Sequence, residues 1–380
     1  MKVLVYGDIG GSGGYYRYCK GLFSSGVIPE DILVYFITSE SFHEKLGDLD
    51  HNVQVIKHNW IDSPSRFKRY MWHLWVYPRL VRKLNPDLEF YSNGQLRVYM
   101  RNALTVATCH NLLLFDNFEL NRVLNVDEKI YFLKTRKRQV KSFKRSDALI
   151  FLSQHSKNVI LPEIDCNKTN RIISHGLDSK FFLNNVRNFT INQEVKILYV
   201  SPIFHYKNHL NVVQAIHKLN EELDLNIHLN LVGGGDSSAL NELLNYISNN
   251  QLDNSITIKQ FVDTNGLLSE YISNDIFLFA SSSETFGITL LEAMGAKLPI
   301  ACSNQTGLPD ILKDAGVYFD PFDVLSIVSA LKELILNPIK REELGKKAFE
   351  YAHLYTWEKC AKDTFEFLRS VYNESLKKIN

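Results

Sequence analysis

Two glutamates, Glu284 and Glu292, flank a glycine-containing segment that follows a short apolar run in this 380-residue chain. On one continuous helix, eight steps of about 100° would leave them about 80° apart, so they would not share a face. We therefore predict that Glu284 lies on a strand-to-helix loop, and that a helix beginning near Phe286 carries Glu292. The first backbone N–H groups of that helix, at Phe286, Gly287 and Ile288, would form an anion site for a phosphate. The same pattern also fits an ordinary helix N-terminus with an acidic residue beside its dipole.

Other candidate site residues also follow apolar runs. Lys207 comes after KILYV, where a point positive charge could meet phosphates, although an exposed lysine at a helix start is the alternative. His110 ends the run LTVATC, and its imidazole could orient a hydroxyl group or move a proton, whereas lone histidines are more often structural. Gly233 and Gly234 form a turn after another apolar run, a signal that is weak by itself.

A glycine-rich segment after the first apolar run contains Gly10, Gly11, Gly13 and Gly14. A strict G-x-G-x-x-G would need glycine where Tyr16 stands, so the dinucleotide-binding fingerprint is absent. By its residues alone this segment fits a flexible strand-to-helix turn, whereas a family resemblance that other segments carry implies that it serves phosphates and the acceptor. In the helix that follows, Arg17 is a candidate anion contact.

The elements that would position these residues are short apolar runs separated by helix-length segments. Such runs are typical of buried parallel strands in βαβ units, and they occur in two sets, which predicts two doubly wound, Rossmann-like α/β domains. Ligands would bind beyond the carboxyl ends of the strands, in the cleft between the domains. The polar segment 184–194 marks the boundary, so we predict domains at 1–188 and 189–360, with a C-terminal helix at about 361–380. The predicted strands are 3–6, 32–38, 88–91, 104–109, 148–152, 196–200, 228–232, 256–258, 276–280 and 299–303.

The composition limits the classes of ligand and the cellular compartment that fit this chain. The 43 basic and 42 acidic residues leave a net charge of +1, so any polyanion-binding role must be local. The five cysteines form no CxxC pair and no metal-like spacing, which argues against a disulfide framework or structural zinc and for a reducing cytoplasm. Neither a signal peptide nor an apolar stretch of about 18 residues is apparent.

Two basic stretches, 65–83 and 134–145, suit binding to an anionic membrane surface. A solvated helix face is the default interpretation of such a charge run, and nucleic-acid binding is the poorer option.

Several segments carry a resemblance to a known family. ETFGITLLEAMGAKLPIACS resembles the E-x7-E signature of retaining glycosyltransferases of the GT-B fold, particularly family 4, within the glycosyl transferases group 1. YVSPIFHYKNHLNVVQAI is similar to the family's strand–loop–KN–helix segment, and LVGGGDS, SNQTGLPDIL and YTWEKCAKDTFEFL resemble further pieces. The resemblance covers nearly all of 196–368. It departs where many members carry an arginine, at Ser201 and Pro202.

The resemblance implies site roles. Glu284 would lie near the transferred sugar, Glu292 would hydrogen-bond the nucleotide ribose, and Lys207 would touch the donor diphosphate. Phe286, Gly287, Ile288, Gly233 and Gly234 would complete the donor site, and His110 would lie beside the donor sugar. The last helix would cross back onto the first domain, and no metal would be needed.

The implied activity is transfer of a sugar from a GDP- or UDP-sugar to a hydroxyl acceptor with retention. The acceptor would be a glycan or lipid-linked saccharide of bacterial surface polysaccharide or lipopolysaccharide synthesis. The enzyme would be cytoplasmic or peripheral on the inner membrane. The alternatives are a sugar-nucleotide epimerase or a phosphorylase of the same fold, a non-catalytic sugar-nucleotide-binding protein and, less well supported, an NAD-dependent oxidoreductase.

Overall fold

The chain folds into two compact units in a computed structural model, which describes residues 1–7, 14–96, 103–123, 125–164, 167–183 and 194–379. The first unit contains Met1–Phe115, Val126–Gly176 and Tyr355–Asn380, and the second contains Asp116–Asn125 and Leu177–Leu354. The boundaries therefore lie earlier than 188 and 360, and a short segment from the first half of the chain belongs to the second unit.

The strands and helices alternate along the chain. The strands are β1 Lys2–Tyr6, β2 Leu33–Thr38, β3 Val53–Lys57, β4 Leu88–Tyr91, β5 Leu104–Thr108, β6 Ala148–Phe151, β7 Thr169–Ile172, β8 Glu194–Val200, β9 Asn226–Val232, β10 Ile256–Lys259, β11 Ile276–Phe279, β12 Ile300–Ser303 and β13 Val317–Phe319. The helices are α1 Gly14–Phe23, α2 Glu40–Leu46, α3 Arg66–Met71, α4 Tyr77–Leu84, α5 Asn117–Val123, α6 Val126–Arg145, α7 Gln154–Ile164, α8 His209–Glu222, α9 Ser237–Asn249, α10 Thr264–Ser273, α11 Ile288–Gly295, α12 Leu308–Leu312, α13 Val324–Leu336, α14 Pro338–Ala352 and α15 Trp357–Ile379. A π-helical turn, Trp72–Val76, joins α3 to α4, and short 3₁₀ turns occur at Leu112–Phe115, Ser179–Phe181 and His205–Lys207.

Each unit is built on one parallel sheet. The first has seven strands in the order β3-β2-β1-β4-β5-β6-β7, and the second has six in the order β10-β9-β8-β11-β12-β13. In both sheets the strand order reverses beside the unit's first strand, between β1 and β4 and between β8 and β11. Such switch points leave a crevice at the carboxyl ends of the strands, which is where doubly wound folds bind ligands. The predicted fold class, two doubly wound α/β domains, is confirmed.

The C-terminal helix belongs to the first unit, as the resemblance implies. Trp357, the first residue of α15, packs on α1, where an added Cβ at Gly21 would lie 2.1 Å from the indole Cδ2. Phe365 and Leu368 of the same helix are buried in the core with Val3 and Val5 of β1. Because only a glycine leaves room for the indole ring at this point, Gly21 fixes where α15 begins its packing.

The ten strands predicted from the sequence all exist, with ends that differ by at most two residues. Three observed strands, β3, β7 and β13, were not predicted. All three are edge strands, and β7 is almost wholly exposed. Strands β3 and β7 carry polar residues on exposed faces, so they lack the continuous apolar run of a central parallel strand. Strand β13 is apolar but only three residues long, which is too short to stand out as a run.

Candidate functional site

The β8–β11 switch point of the second unit brings together two predicted residues, Lys207 and Glu284. Lys207 ends the 3₁₀ turn that follows β8, and Glu284 lies in the loop between β11 and α11. The Nζ of Lys207 donates a hydrogen bond to Oε1 of Glu284. Their side chains are 9% and 17% exposed, so this is a largely buried ion pair.

The surroundings keep Lys207 charged. Burial lowers the pKa of its ammonium group, but the negative charge and hydrogen bond of Glu284 outweigh this, and the pKa is raised. The Nζ atom also lies 5.0 Å from the ring centroid of Tyr206 and 5.8 Å from that of Phe279, and such ring faces favour a cation. At neutral pH the site therefore offers a fixed positive charge beside a carboxylate.

Asn208, which the sequence reasoning missed, links the two loops that carry this pair. Its backbone is left-handed, at φ 54°, a conformation that asparagine tolerates better than most residues. Its side-chain amide donates to the carbonyl of Ala280 at 2.9 Å and to Oγ of Ser282 at 3.2 Å. Ser282 in turn donates from its N–H and its hydroxyl to the carbonyl of Tyr206, at 2.9 and 2.8 Å. These bonds hold the Lys207 turn against the segment that leads to Glu284.

Two buried residues, Tyr199 of β8 and His209 at the start of α8, support the turn that carries Lys207. The hydroxyl of Tyr199 donates to the carbonyl of Lys207 at 2.7 Å. Its ring stacks on His209, with centroids 4.6 Å apart and planes at 17°. Burial, together with the nearby charge of Lys207, lowers the pKa of His209 to about 3, so this imidazole is neutral and serves as packing.

The helix after Glu284 begins at Ile288, two residues later than predicted. Gly287 precedes it at φ 91°, and an added Cβ there would lie 2.9 Å from Cδ2 of Leu308. A left-handed residue cannot be part of a right-handed helix, so the N–H of Phe286 lies before α11 rather than in its first turn. A phosphate site at this helix start stays a prediction.

Glu292 lies on α11 with its side chain in the interior, 1% exposed. The hydroxyl of Tyr271 donates to its Oε2 at 2.9 Å and lies 3.3 Å from the carbonyl of Thr289. A buried carboxylate needs such donors, because an unpaired charge in the interior is costly. The contact of Glu292 with a ribose remains a prediction.

The glycine turn at 233–235 has a clear structural reason. Gly233 has φ 142°, and an added Cβ would lie 2.3 Å from the carbonyl oxygen of Ser201. At Gly235 the same atom would lie 2.1 Å from the carbonyl oxygen of Ile203, whereas at Gly234 the nearest atom is 3.3 Å away. The glycines therefore let the loop after β9 approach the loop after β8. A contact of Gly233 or Gly234 with the donor substrate remains a prediction.

In the first unit, His110 follows β5 within a cluster of aromatic rings. Its ring centroid lies 4.7 Å from that of Tyr18, 5.7 Å from that of Tyr15 and 5.3 Å from that of His175. Burial lowers the pKa of His110 to about 4, opposed by a hydrogen bond with the Ser92 backbone. The imidazole is therefore neutral at physiological pH, a state in which it can both donate and accept a hydrogen bond.

The glycine-rich segment is only partly described. Gly10, Gly11 and Gly13 lie outside the described residues, while Gly14 is the exposed first residue of α1. Arg17 is half-buried on the same helix.

The described residues hold no group of three or more histidine, cysteine, aspartate or glutamate side chains that could bind a metal. In that part of the chain, no helix combines the length and apolar character needed to cross a membrane.

The two basic stretches lie on one side of the first sheet. Residues 65–83 form α3, the π-helical turn and most of α4, and residues 134–145 form the second half of α6. Tyr91 of β4 lies between them, because its hydroxyl is 3.4 Å from that of Tyr77 on α4, while its ring shares a cluster with Phe143 of α6. A cavity of about 580 Å³ beside α6 and α7 is lined by Leu133, Arg136, Lys137, Val140, Lys141, Lys144, Arg145 and Glu163.

Exposed apolar side chains accompany these charges. On α3 and the π-helical turn they are Phe67, Tyr70, Leu74 and Trp75, which are 71%, 62%, 50% and 52% exposed. The first half of α6 adds Tyr131, which is 64% exposed. One side of the first unit thus combines aromatic and basic residues.

Comparison with known proteins gives a family match for part of the chain. Residues 184–351 match the family model described as glycosyl transferases group 1. The chain is 29% identical over 169 residues to the O-antigen chain mannosyltransferase B of Escherichia coli, an alignment that covers 44% of each protein. The matched region of the chain covers 19% and 34% of the length of two other relatives. The chain therefore spans less than half the length of each of these three relatives.

Solved structures match over nearly the whole chain. Sucrose-phosphate synthase from Thermosynechococcus elongatus has a TM-score of 0.77 at 17% identity, covering 98% of this chain and 99% of that one. Anabaena HepE in complex with UDP-glucose has a TM-score of 0.74 at 16% identity, covering 97% and 100%. The chain therefore has the two-unit α/β fold of GT-B glycosyltransferases, and its second unit carries the segment that matches the glycosyl transferases group 1.

Proposed function

We propose that this chain is a retaining glycosyltransferase that moves a sugar from a GDP- or UDP-sugar to a hydroxyl acceptor. The observation that carries the proposal is the buried Lys207–Glu284 pair at the β8–β11 switch point, inside the segment that matches the group 1 family model. The complex of HepE with UDP-glucose supports a nucleotide-sugar donor on this fold.

The main chemical demand is the charge that develops on the departing diphosphate. The bond between the anomeric carbon and the diphosphate oxygen breaks, and the acceptor oxygen bonds to the same face of the sugar. The acceptor proton passes to the leaving phosphate. Lys207 meets the new negative charge, and a preorganised charge in a buried site does so with little reorganisation. Since a lysine ammonium carries three donors, Glu284 and a phosphate oxygen can be bound together.

The remaining groups bind and orient the substrates. Glu284 would accept hydrogen bonds from the sugar hydroxyls, and Glu292 would bind the ribose. N–H groups at Gly287 and Ile288, at the start of α11, would bind a phosphate oxygen. His110, neutral at physiological pH, would orient a sugar hydroxyl. Charge neutralisation by Lys207 and backbone groups needs no metal ion, so EDTA should leave turnover unchanged.

Nucleotide binding and the anomeric configuration of the product together test the proposal. UDP, GDP, ADP and CDP are first screened by thermal shift, where a ligand at 100 times its Kd stabilises by about 2.7 kcal/mol. The preferred nucleotide sugar is then incubated with candidate glycan acceptors, and the anomeric configuration of the product is read by NMR. Retention supports the proposal, whereas absence of nucleotide binding or an inverted product refutes it. Isomerised donor without acceptor would indicate an epimerase, and phosphate-dependent turnover a phosphorylase.

We also propose that the acceptor belongs to surface polysaccharide synthesis and that the first unit docks on an anionic membrane. The acceptor class is supported by the relative that is an O-antigen chain mannosyltransferase. The docking surface is the side of the first unit formed by α3, the π-helical turn, α4 and α6. It presents exposed aromatic residues beside basic ones, and each basic residue near anionic lipid contributes about 1 kcal/mol.

Vesicle flotation tests the membrane contact. Phe67→Ser and Trp75→Ser are expected to weaken binding to vesicles that contain about 30% anionic lipid, and added salt should weaken it further. Ile339→Ser is the matched control, since Ile339 is 72% exposed on the second unit. Equal binding by all variants, or equal binding to neutral vesicles, would refute the docking surface.

A further inference from the structure

Helix α5 has an unusual place in the chain. It lies between β5 and β6 in sequence, within the first unit's strands, yet Asp116–Asn125 is part of the second unit. Its contacts explain why. Arg122 donates from Nη2 to Oδ1 of Asn208 at 3.0 Å and to the carbonyl of His205 at 3.4 Å. Helix α5 therefore packs directly on the turn that carries Lys207.

A buried carboxylate holds the guanidinium of Arg122 in place. Glu119 is 1% exposed, and its Oε2 accepts from Nε of Arg122 at 3.1 Å. Its Oε1 is buried with no hydrogen-bond partner among the described residues. Removal of Arg122 would leave a buried charge uncompensated, so the two residues form one unit. The guanidinium carbon also lies 5.0 Å from the ring centroid of Phe322.

The side-chain amide of Asn208 forms hydrogen bonds with Arg122 through its oxygen and with the loop after β11 through its nitrogen. Arginine is only a donor, so Asn208 must present Oδ1 to it and is left with its NH₂ group for the carbonyl of Ala280 and the hydroxyl of Ser282. The orientation set by Arg122 is thus the one that links the Lys207 turn to the segment leading to Glu284. Flipping the amide would break every one of these bonds.

We propose that Glu119 and Arg122 of α5 are positioning residues for the donor-diphosphate site: Arg122 fixes the amide of Asn208, and Asn208 fixes Lys207 against Glu284. The kinetic part of this inference rests on the proposed function, whereas the structural part does not. The inference also gives a role to Arg122. This arginine is far in sequence from Ser201 and Pro202, the positions after β8 where many members of the resembled family carry an arginine.

Amide hydrogen exchange on the full chain tests the positioning without any substrate. In Arg122→Ala, the amides of Lys207 and Ser282 should exchange about tenfold faster, because both donate to backbone carbonyls within the linked loops. Lys332→Ala is the control, since Lys332 forms an exposed ion pair with Glu222 in the same unit. Exchange rates of these two amides that match wild type in Arg122→Ala would overturn the inference.

Steady-state kinetics tests the link to the donor site. Arg122→Ala and Asn208→Ala should each lower kcat/KM for the donor by about tenfold or more, the loss expected when one charge-assisted hydrogen bond is removed. The KM for the acceptor should not change, and Arg122→Lys should recover part of the loss. In the double variant the loss should equal that of Asn208→Ala alone, because both act through one amide.

Two results separate the possible failures. Additive losses in the double variant, or reduced thermal stability with unchanged donor kinetics, would make α5 a packing element and refute the inference. If the wild type neither binds nucleotides nor turns over donor, the proposed function fails instead, and hydrogen exchange still decides whether α5 positions the Lys207 turn.

Discussion

Replacement of Lys207 by methionine separates the structural and chemical roles of the buried ion pair. Methionine has nearly the same length and no charge, so the packing volume is retained. Glu284 would then lose the ammonium group that donates to its Oε1. We expect Lys207→Met to impair both folding stability and turnover, and Lys207→Met/Glu284→Gln to recover only the stability.

The magnitudes follow from burial and charge. Breaking a fully buried ion pair costs about 3–5 kcal/mol. The Glu284 side chain is 17% exposed, so water can compensate part of the loss, and we expect the smaller value of about 1–3 kcal/mol. Neutralising Glu284 in the double variant removes the uncompensated charge. For turnover, loss of one preorganised electrostatic group is expected to lower kcat by about 100- to 1,000-fold.

Two assays measure these effects. Urea unfolding gives the free energy of unfolding of the wild type and the variants, and release of nucleoside diphosphate gives turnover. Lys332→Met is the control for the loss of a lysine and should change stability by no more than about 0.5 kcal/mol. Turnover by Lys207→Met within threefold of wild type would refute its role at the diphosphate. A double variant no more stable than Lys207→Met would refute the argument that Glu284 depends on it.

Three further predictions concern other parts of the chain. The pKa of His110 is lowered to about 4, so only the unfolded state binds this proton between about pH 6.5 and 4. The contribution of His110 to the free energy of unfolding should therefore fall by about 3 kcal/mol as pH decreases through that range. Urea titrations against pH check this, since the fall in His110→Asn should be smaller than the wild-type fall by about that amount. Gly233→Ala should destabilise the chain by about 1–3 kcal/mol, because of its φ of 142° and the close Ser201 carbonyl, as measured by urea unfolding. Trp357→Ala should cost about 3–5 kcal/mol, because the ring is buried on α1, as measured in the same way.

Each of these three has a matched comparison. Gly234→Ala should cost less than Gly233→Ala, since its added Cβ would meet nothing closer than 3.3 Å. Trp75→Ala should have little effect on stability, because that ring is 52% exposed. Equal costs within either pair, or the same pH dependence in His110→Asn as in wild type, would contradict the corresponding argument.

The central strands and two residues of the second unit's candidate site could be predicted from the sequence. A strand inside a parallel sheet is buried on both faces, so its residues form a continuous apolar run, and the chemistry-bearing residues follow at its carboxyl end. Lys207 and Glu284 were found in this way. The edge strands β3 and β7 were not found, because their exposed faces carry polar residues, and β13 was not found because it is only three residues long.

Only the tertiary structure decided which distant residues meet. Arg122 and Asn208 are 86 positions apart, and neither lies in a pattern that predicts their hydrogen bond. The start of α11 and the burial of Glu292 likewise depend on neighbours such as Leu308 and Tyr271. The sequence determined the fold and the types of chemistry available, because periodicity and local composition report burial. Contacts between loops depend on how whole elements pack, and no local pattern encodes that.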